Sequence, residues 1–62
     1  MTEREFIEKQ ANELGVTIVG KLRRSEEHET AEVEKCFVDE GGNLYMLRHG
    51  ILTIRSADGK VY

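Results

Sequence analysis

The fold is decided by residues 44–57, LYMLRHGILTIRSA, in which two apolar runs flank a His49-Gly50 pair. Apolar and β-branched side chains dominate both runs, as is typical of strands with a buried face. A glycine-containing pair between such runs indicates a tight turn. The stretch therefore predicts an antiparallel hairpin, with strands over residues 44–49 and 51–57.

Two further strands are expected upstream of this hairpin. The run VTIVGKLRR, which begins at Val16, alternates between apolar and polar positions and predicts a strand over residues 16–23. Another strand is expected over residues 30–38. Within it the apolar positions change parity between Val33 and Cys36, which predicts a β-bulge between them.

The C-terminal residues carry a further turn signal. Asp58-Gly59 predicts a two-residue type I′ turn with both residues at positive φ. A very short fifth strand over residues 60–62 would then close the sheet.

The clearest helix signal lies at the N-terminus. Thr2 can cap the first turn, and Glu5 completes a capping box. Gly15 is suited to end the helix in a left-handed conformation, so a helix over residues 2–14 is expected. One face of it carries Phe6, Ile7, Gln10, Ala11 and Leu14. Three turns are not stable alone in water, so this face must pack against the sheet.

These elements predict a single α+β domain over residues 1–62, with the N-terminal helix packed on a four- or five-stranded antiparallel meander. The order of one helix and several short strands resembles in outline the small barrels of the SH3 and Sm type. The alternative is such a barrel, with the helix as a lid. Residues 24–29 depart from the Sm-like pattern because they contain no glycine. A likeness of outline carries no function.

Composition indicates the cellular compartment in which the protein is expected. The only cysteine is Cys36, so no internal disulfide can form, and a reducing compartment, the cytoplasm, is expected. The N-terminus lacks the apolar stretch of a secretory signal. No apolar run approaches the roughly 20 residues that span a bilayer, so no membrane association is expected.

The sequence offers no catalytic, cofactor or metal site. Cys36, His28 and His49 are the only soft metal ligands, and their spacing does not suit zinc. Acidic sequence neighbours disfavour Cys36 as a thiolate nucleophile. Phosphate-binding loops, dinucleotide fingerprints and nucleophile elbows are absent. Neither an enzyme nor a small-molecule substrate is therefore expected.

Apolar side chains exceed what one helix can cover. The uncovered face keeps either Leu44 and Met46 or the apolar residues of opposite parity, and an exposed apolar patch marks an interaction surface. This predicts a non-catalytic protein-binding or regulatory module that uses a sheet face or edge to bind another protein or a second copy of itself. The candidate partner-binding residues are Val19, Tyr45, Leu47, Ile51 and Thr53.

Nucleic-acid binding is the alternative function, with Tyr45 as a stacking platform beside a basic patch. The candidate basic residues are Lys21, Arg23, Arg24, Arg48 and Arg55. A net charge of −3 makes this alternative the weaker one. A structural interpretation also exists, in which Lys21, Arg23 and Arg24 pair with the acids of residues 26–34.

Overall fold

The computed structural model describes all 62 residues and confirms the α+β arrangement of one N-terminal helix and an antiparallel meander. Its elements are helix α1 (Glu3–Glu13) and strands β1 (Arg23–Arg24), β2 (Lys35–Val38), β3 (Leu44–Arg48) and β4 (Ile51–Arg55). The strand order is β1-β2-β3-β4, and each neighbouring pair is antiparallel. Because β1 and β4 are not paired with each other, the sheet stays open and the barrel alternative is wrong.

Helix α1 begins and ends with the predicted signals. The Thr2 hydroxyl accepts the Glu5 amide at 3.1 Å, and the Glu5 carboxylate accepts the Thr2 amide at 3.1 Å, which completes the capping box. Gly15 follows the helix at φ +79°, the left-handed conformation that glycine adopts without strain.

The main core lies between α1 and one face of the sheet. Ile7 and Ala11 of α1 pack against Tyr45, Leu52 and Ile54, and all five are buried. Partly buried apolar residues surround them: Phe6, Val16, Ile18, Leu22, Phe37 and Leu47. We call the side of the sheet that carries this core the helix-side face.

The strand predicted over residues 16–23 is mostly wrong, because only Arg23–Arg24 pairs with the sheet. The predicted alternation survives nonetheless, since Val16, Ile18 and Leu22 pack against the core while the residues between them are exposed. Gly20 interrupts the extended chain at φ +67°.

Two carboxylates take the place of a neighbouring strand along this segment. Asp39 accepts the Val19 amide at 3.0 Å, and Glu40 accepts the Lys21 amide at 2.7 Å. The Glu40 amide in turn donates to the Val19 carbonyl at 2.9 Å. The segment is therefore held by the β2–β3 loop and needs no strand ladder.

The strand predicted over residues 30–38 forms only in its second half. A 3-10 helix covers Glu26–His28, and a turn follows in which the Thr30 hydroxyl accepts the Val33 amide at 3.1 Å. The Glu34 amide donates to the Leu47 carbonyl at 3.0 Å, and Leu47 is also the cross-strand partner of Lys35. Two residues of this chain therefore lie opposite one residue of β3, as expected for the predicted β-bulge between Val33 and Cys36.

The tight turn predicted at His49-Gly50 is confirmed, and it has the type I′ form that was predicted for Asp58-Gly59. Its two residues are His49 (φ +50°) and Gly50 (φ +80°), between β3 and β4. Asp58 does not adopt positive φ, and Gly59 (φ +93°) ends a three-residue loop that is closed by the Ser56 amide donating to the Lys60 carbonyl at 2.8 Å.

The predicted fourth and fifth strands are both shorter than expected. β4 ends at Arg55, and the strand expected over residues 60–62 is reduced to one isolated bridge between Arg55 and Val61. Tyr62 adds backbone hydrogen bonds to Ile54 in both directions.

Candidate functional site

The face of the sheet opposite α1, which we call the helix-free face, is the candidate functional surface. Alternate strand residues point to opposite faces, and the cross-strand register shows which residues share a row. One row runs through Arg23, Val38, Leu44 and Arg55 and continues to Val61. A second row holds Cys36, Met46 and Thr53, and a third holds Arg48 and Ile51.

This face is only partly covered. Val33, from the loop before β2, packs with Cys36 and Leu44 in a small buried cluster, and Val38 and Met46 lie partly buried against it. Toward the edge of the sheet the cover ends, so that Ile51 and Val61 are each 69% exposed. Large apolar side chains therefore reach solvent at the margin of this face.

Three arginines surround the apolar residues of the helix-free face. Arg23, Arg48 and Arg55 are exposed, and none of them forms an ion pair. No strand residue of this face is acidic. Burial and the negative charge of Glu29 raise the pKa of the Cys36 thiol, and the charge of Arg55 partly offsets that rise.

The structure separates the five predicted partner-binding residues. Thr53 and Ile51 lie on the helix-free face, whereas Tyr45 and Leu47 belong to the helix-side core. Tyr45 is completely buried, so it can neither contact a partner nor stack on a base. Val19 is 49% exposed beside the β2–β3 loop, at the opposite end of β3 from Ile51.

Buried Asp39 explains why Tyr45 faces inward. The Tyr45 hydroxyl donates to Asp39 Oδ2 at 2.6 Å, and Asp39 also accepts the amides of Val19, Gly41 and Asn43. Burial alone would raise the pKa of Asp39, but these donors and the Asn43 side chain outweigh burial and lower the pKa to about 2. The carboxylate is fully used in holding the loop, which leaves it no role as an acid or base.

The five residues of the predicted basic patch also do not share one surface in the structure. Arg24 forms a bidentate pair with Glu29, at 2.7 and 2.9 Å, as the structural interpretation expected. Lys21 and Arg23 form no such pair. Only Arg23, Arg48 and Arg55 share the helix-free face.

One contact has the appearance of a catalytic dyad. The Ser25 hydroxyl lies 2.7 Å from His28 Nδ1, and Glu27 Oε1 lies 3.8 Å from the same nitrogen. A catalytic triad needs the carboxylate on the opposite ring nitrogen, and its serine must be accessible. Ser25 is 5% exposed, so this contact stabilises the short 3-10 helix. No cluster of three or more histidine, cysteine or acidic side chains has a geometry that could hold a metal ion.

Met46, Val38 and Val61 belong to the surface and were not among the partner-binding residues predicted from sequence. The sequence does indicate the position of Met46, because Met46 and Arg48 are two residues apart in the third strand and therefore face the same side of the sheet. Two arginines in neighbouring strands indicate which parity faces solvent. That rule also assigns Tyr45 and Leu47, of opposite parity, to the core.

Comparisons with known proteins give no functional assignment: no family model, curated protein or solved structure matches this chain. The structure contains no helix with the length and hydropathy needed to cross a membrane.

Proposed function

We propose that this protein is a non-catalytic protein-binding module and that its helix-free face is the binding surface. The observation that supports this most directly is the combination of three unpaired arginines with exposed Ile51 and Val61 on one side of a sheet. Arginine and large apolar residues are enriched where proteins bind one another.

The distribution of aromatic rings favours a protein partner over nucleic acid. Sheets that bind single strands stack bases on exposed aromatic side chains. Here Phe6, Phe37 and Tyr45 all belong to the helix-side core, and Tyr62 pairs with Ile54, whose side chain also faces that core. The helix-free face has arginines but no stacking platform.

The face is a better interface than either edge of the sheet. β1 is two residues long, and the backbone of Ile54 in β4 already bonds to Tyr62. Along an edge strand, every second residue points its backbone N–H and C=O groups away from the sheet. In β4 these residues are Leu52 and Ile54, and since Ile54 already bonds to Tyr62, only Leu52 keeps free backbone groups. Edges this short are poor templates for another strand.

A different protein suits the face better than a second copy does. A two-fold symmetric contact uses the same patch twice and would place arginines against arginines. We therefore expect a monomer across a dilution series in light scattering, with a melting temperature independent of concentration. A concentration-dependent dimer that dissociates when Arg48 and Arg55 are replaced by glutamine would contradict this expectation.

Photo-crosslinking tests the surface directly. A benzoylphenylalanine in place of Ile51 should give a discrete protein adduct in the native lysate, and the same probe in place of Glu13 on the exposed side of α1 should not. Unlabelled wild-type protein should compete the adduct away, whereas protein with Arg23, Arg48 and Arg55 replaced by glutamine should not. Equal adducts at both positions, or none at either, would overturn the proposal.

We further propose the cytoplasm as the place of action. The single thiol of Cys36 is free and buried, which suits a compartment where disulfides do not form. Fractionation of tagged cells tests this, and recovery in a secreted fraction would contradict it.

A further inference from the structure

We infer that the partner presents an acidic segment with an apolar centre, which the helix-free face binds through Arg23, Arg48 and Arg55. This inference rests on the proposed function and adds the chemistry of the partner. It follows from the charge of the face, the spacing of the arginines and the residues between them.

The strand residues of the face have a charge opposite to that of the whole chain. The protein carries a net charge of −3, yet the strand residues of this face include three arginines and no acid. The other two arginines of the chain pair internally, Arg4 with Glu8 and Arg24 with Glu29, as does Lys35 with Glu3, whereas Lys9, Lys21 and Lys60 form no ion pair. The three arginines of the helix-free face have no internal carboxylate and can accept one from outside.

The spacing of the arginines indicates several separate anions. Arg23 and Arg55 occupy one row across four strands, and strand spacing places their Cα atoms roughly 14 Å apart. Arg48 lies four residues along β3 from Leu44 of that row, a displacement of roughly 13 Å. Arginines this far apart suit carboxylates distributed along a peptide better than one small anion.

The centre of this triangle is apolar. Met46 and Val38 lie partly buried between the arginines, and exposed Ile51 continues the surface toward the edge. Removing such apolar area from water on binding is favourable. A segment that joins acidic and apolar side chains would therefore match the face in both charge and hydrophobicity.

The test is a set of titrations of isotope-labelled protein, followed by amide chemical shifts. The probes are a short peptide of glutamate, leucine and serine, the same peptide with lysine for glutamate, the same peptide with serine for leucine, and an oligothymidylate. The glutamate–leucine peptide should shift amides around Met46, Thr53 and Ile51. The other three probes should bind at least about tenfold more weakly.

A matched pair of variants assigns the binding to the arginines. Replacing Arg23, Arg48 and Arg55 by glutamine should weaken the glutamate–leucine peptide about tenfold or more. Replacing Lys9, Lys21 and Lys60 by glutamine changes net charge equally, removes unpaired cations elsewhere and should leave affinity within about twofold.

Three results would overturn the inference: equal binding of the lysine peptide, equal loss in both variants, or tighter binding of the oligothymidylate at this face. Its failure can be separated from that of the proposed function. If the Ile51 crosslink forms while no acidic peptide binds, the surface is an interface but the partner chemistry is wrong. If neither the Ile51 crosslink nor binding of the acidic peptide is seen, both the inference and the proposed function are wrong.

Discussion

The two faces of the sheet are built from the same strands and differ in what covers them. On the helix-side face, Tyr45 and Ile54 are completely buried beneath Ile7 and Ala11. On the helix-free face, Ile51 is 69% exposed and its neighbour Arg48 has no ion pair. Because apolar burial is the main favourable contribution to folding, the helix-side face contributes most of the stability, and the exposed part of the helix-free face is the proposed binding surface.

The largest loss in the free energy of unfolding is expected from removal of Asp39, which accepts the Tyr45 hydroxyl of the helix-side core. Asp39→Ala leaves five donors without their acceptor: the backbone amides of Val19, Gly41 and Asn43, the Asn43 side-chain amide and the Tyr45 hydroxyl. The expected loss is on the order of 4 kcal/mol, comparable with the whole stability of a domain this small. Urea unfolding followed by circular dichroism measures it, with the exposed turn variant Asp58→Ala as the control. Similar midpoints for the two variants would show that Asp39 does not hold the fold.

Two isoleucines of β4 directly test how much each face of the sheet contributes to stability. Ile54 is completely buried on the helix-side face, whereas Ile51, three residues earlier, is 69% exposed on the other. Ile54→Ala should lower the free energy of unfolding by about 2–5 kcal/mol, and Ile51→Ala should change it by less than about 0.5 kcal/mol. Equal losses in urea titrations would mean that both faces stabilise the fold.

Acid should weaken the helix-side face through the same carboxylate. The pKa of Asp39 is lowered from 3.8 to about 2, so its stabilisation is fully present above pH 3.8 and is lost as the pH falls toward 2. A difference of this size corresponds to about 2 kcal/mol. Urea midpoints between about pH 5 and pH 2 should fall accordingly. In Asp39→Asn the fall should be clearly smaller, and an identical fall would assign it to other carboxylates.

The smallest effect on stability is expected on the helix-free face. Replacing Arg23, Arg48 and Arg55 by glutamine should shift the free energy of unfolding by less than about 0.5 kcal/mol, since none of them has an internal partner. Thermal melts beside the Lys9, Lys21 and Lys60 variant measure this. A loss above about 1 kcal/mol confined to the arginine variant would give these residues a structural role.

The elements that sequence predicted well have local causes. The capping box needs only Thr2 and Glu5, three residues apart, and it forms as expected. The alternation of Val16, Ile18 and Leu22 correctly gave the buried side of that segment. In both cases the determining contacts or periodicity lie within a few residues of one another.

The features that were missed depend on partners distant in sequence. Val16 to Lys21 has the pattern of a strand, but its amides bond to side chains of Asp39 and Glu40. Tyr45 was predicted at the binding surface, but Ile7 and Ala11 of the distant helix α1 pack against it, and it is completely buried. By contrast, the tight turn predicted at His49-Gly50 did form, because the local register of Arg48 with Ile51 leaves two residues between the strands.

Asp39 and Glu40 of the β2–β3 loop accept hydrogen bonds from Val19 and Lys21, and we call these contacts the clamp. The clamp also predicts an order in which the parts of the chain fold. Strands β2, β3 and β4 are joined by short turns, whereas Asp39 meets Val19 across a separation of 20 residues. Closing the longer loop costs more chain entropy, so the hairpins form first. The segment before β1 is then expected to be fixed after the strands that follow it in the chain, since it packs against a core that includes Ile54. Pulsed hydrogen exchange during refolding should protect β3 amides before that of Val19, and the reverse order would place the clamp in the folding nucleus.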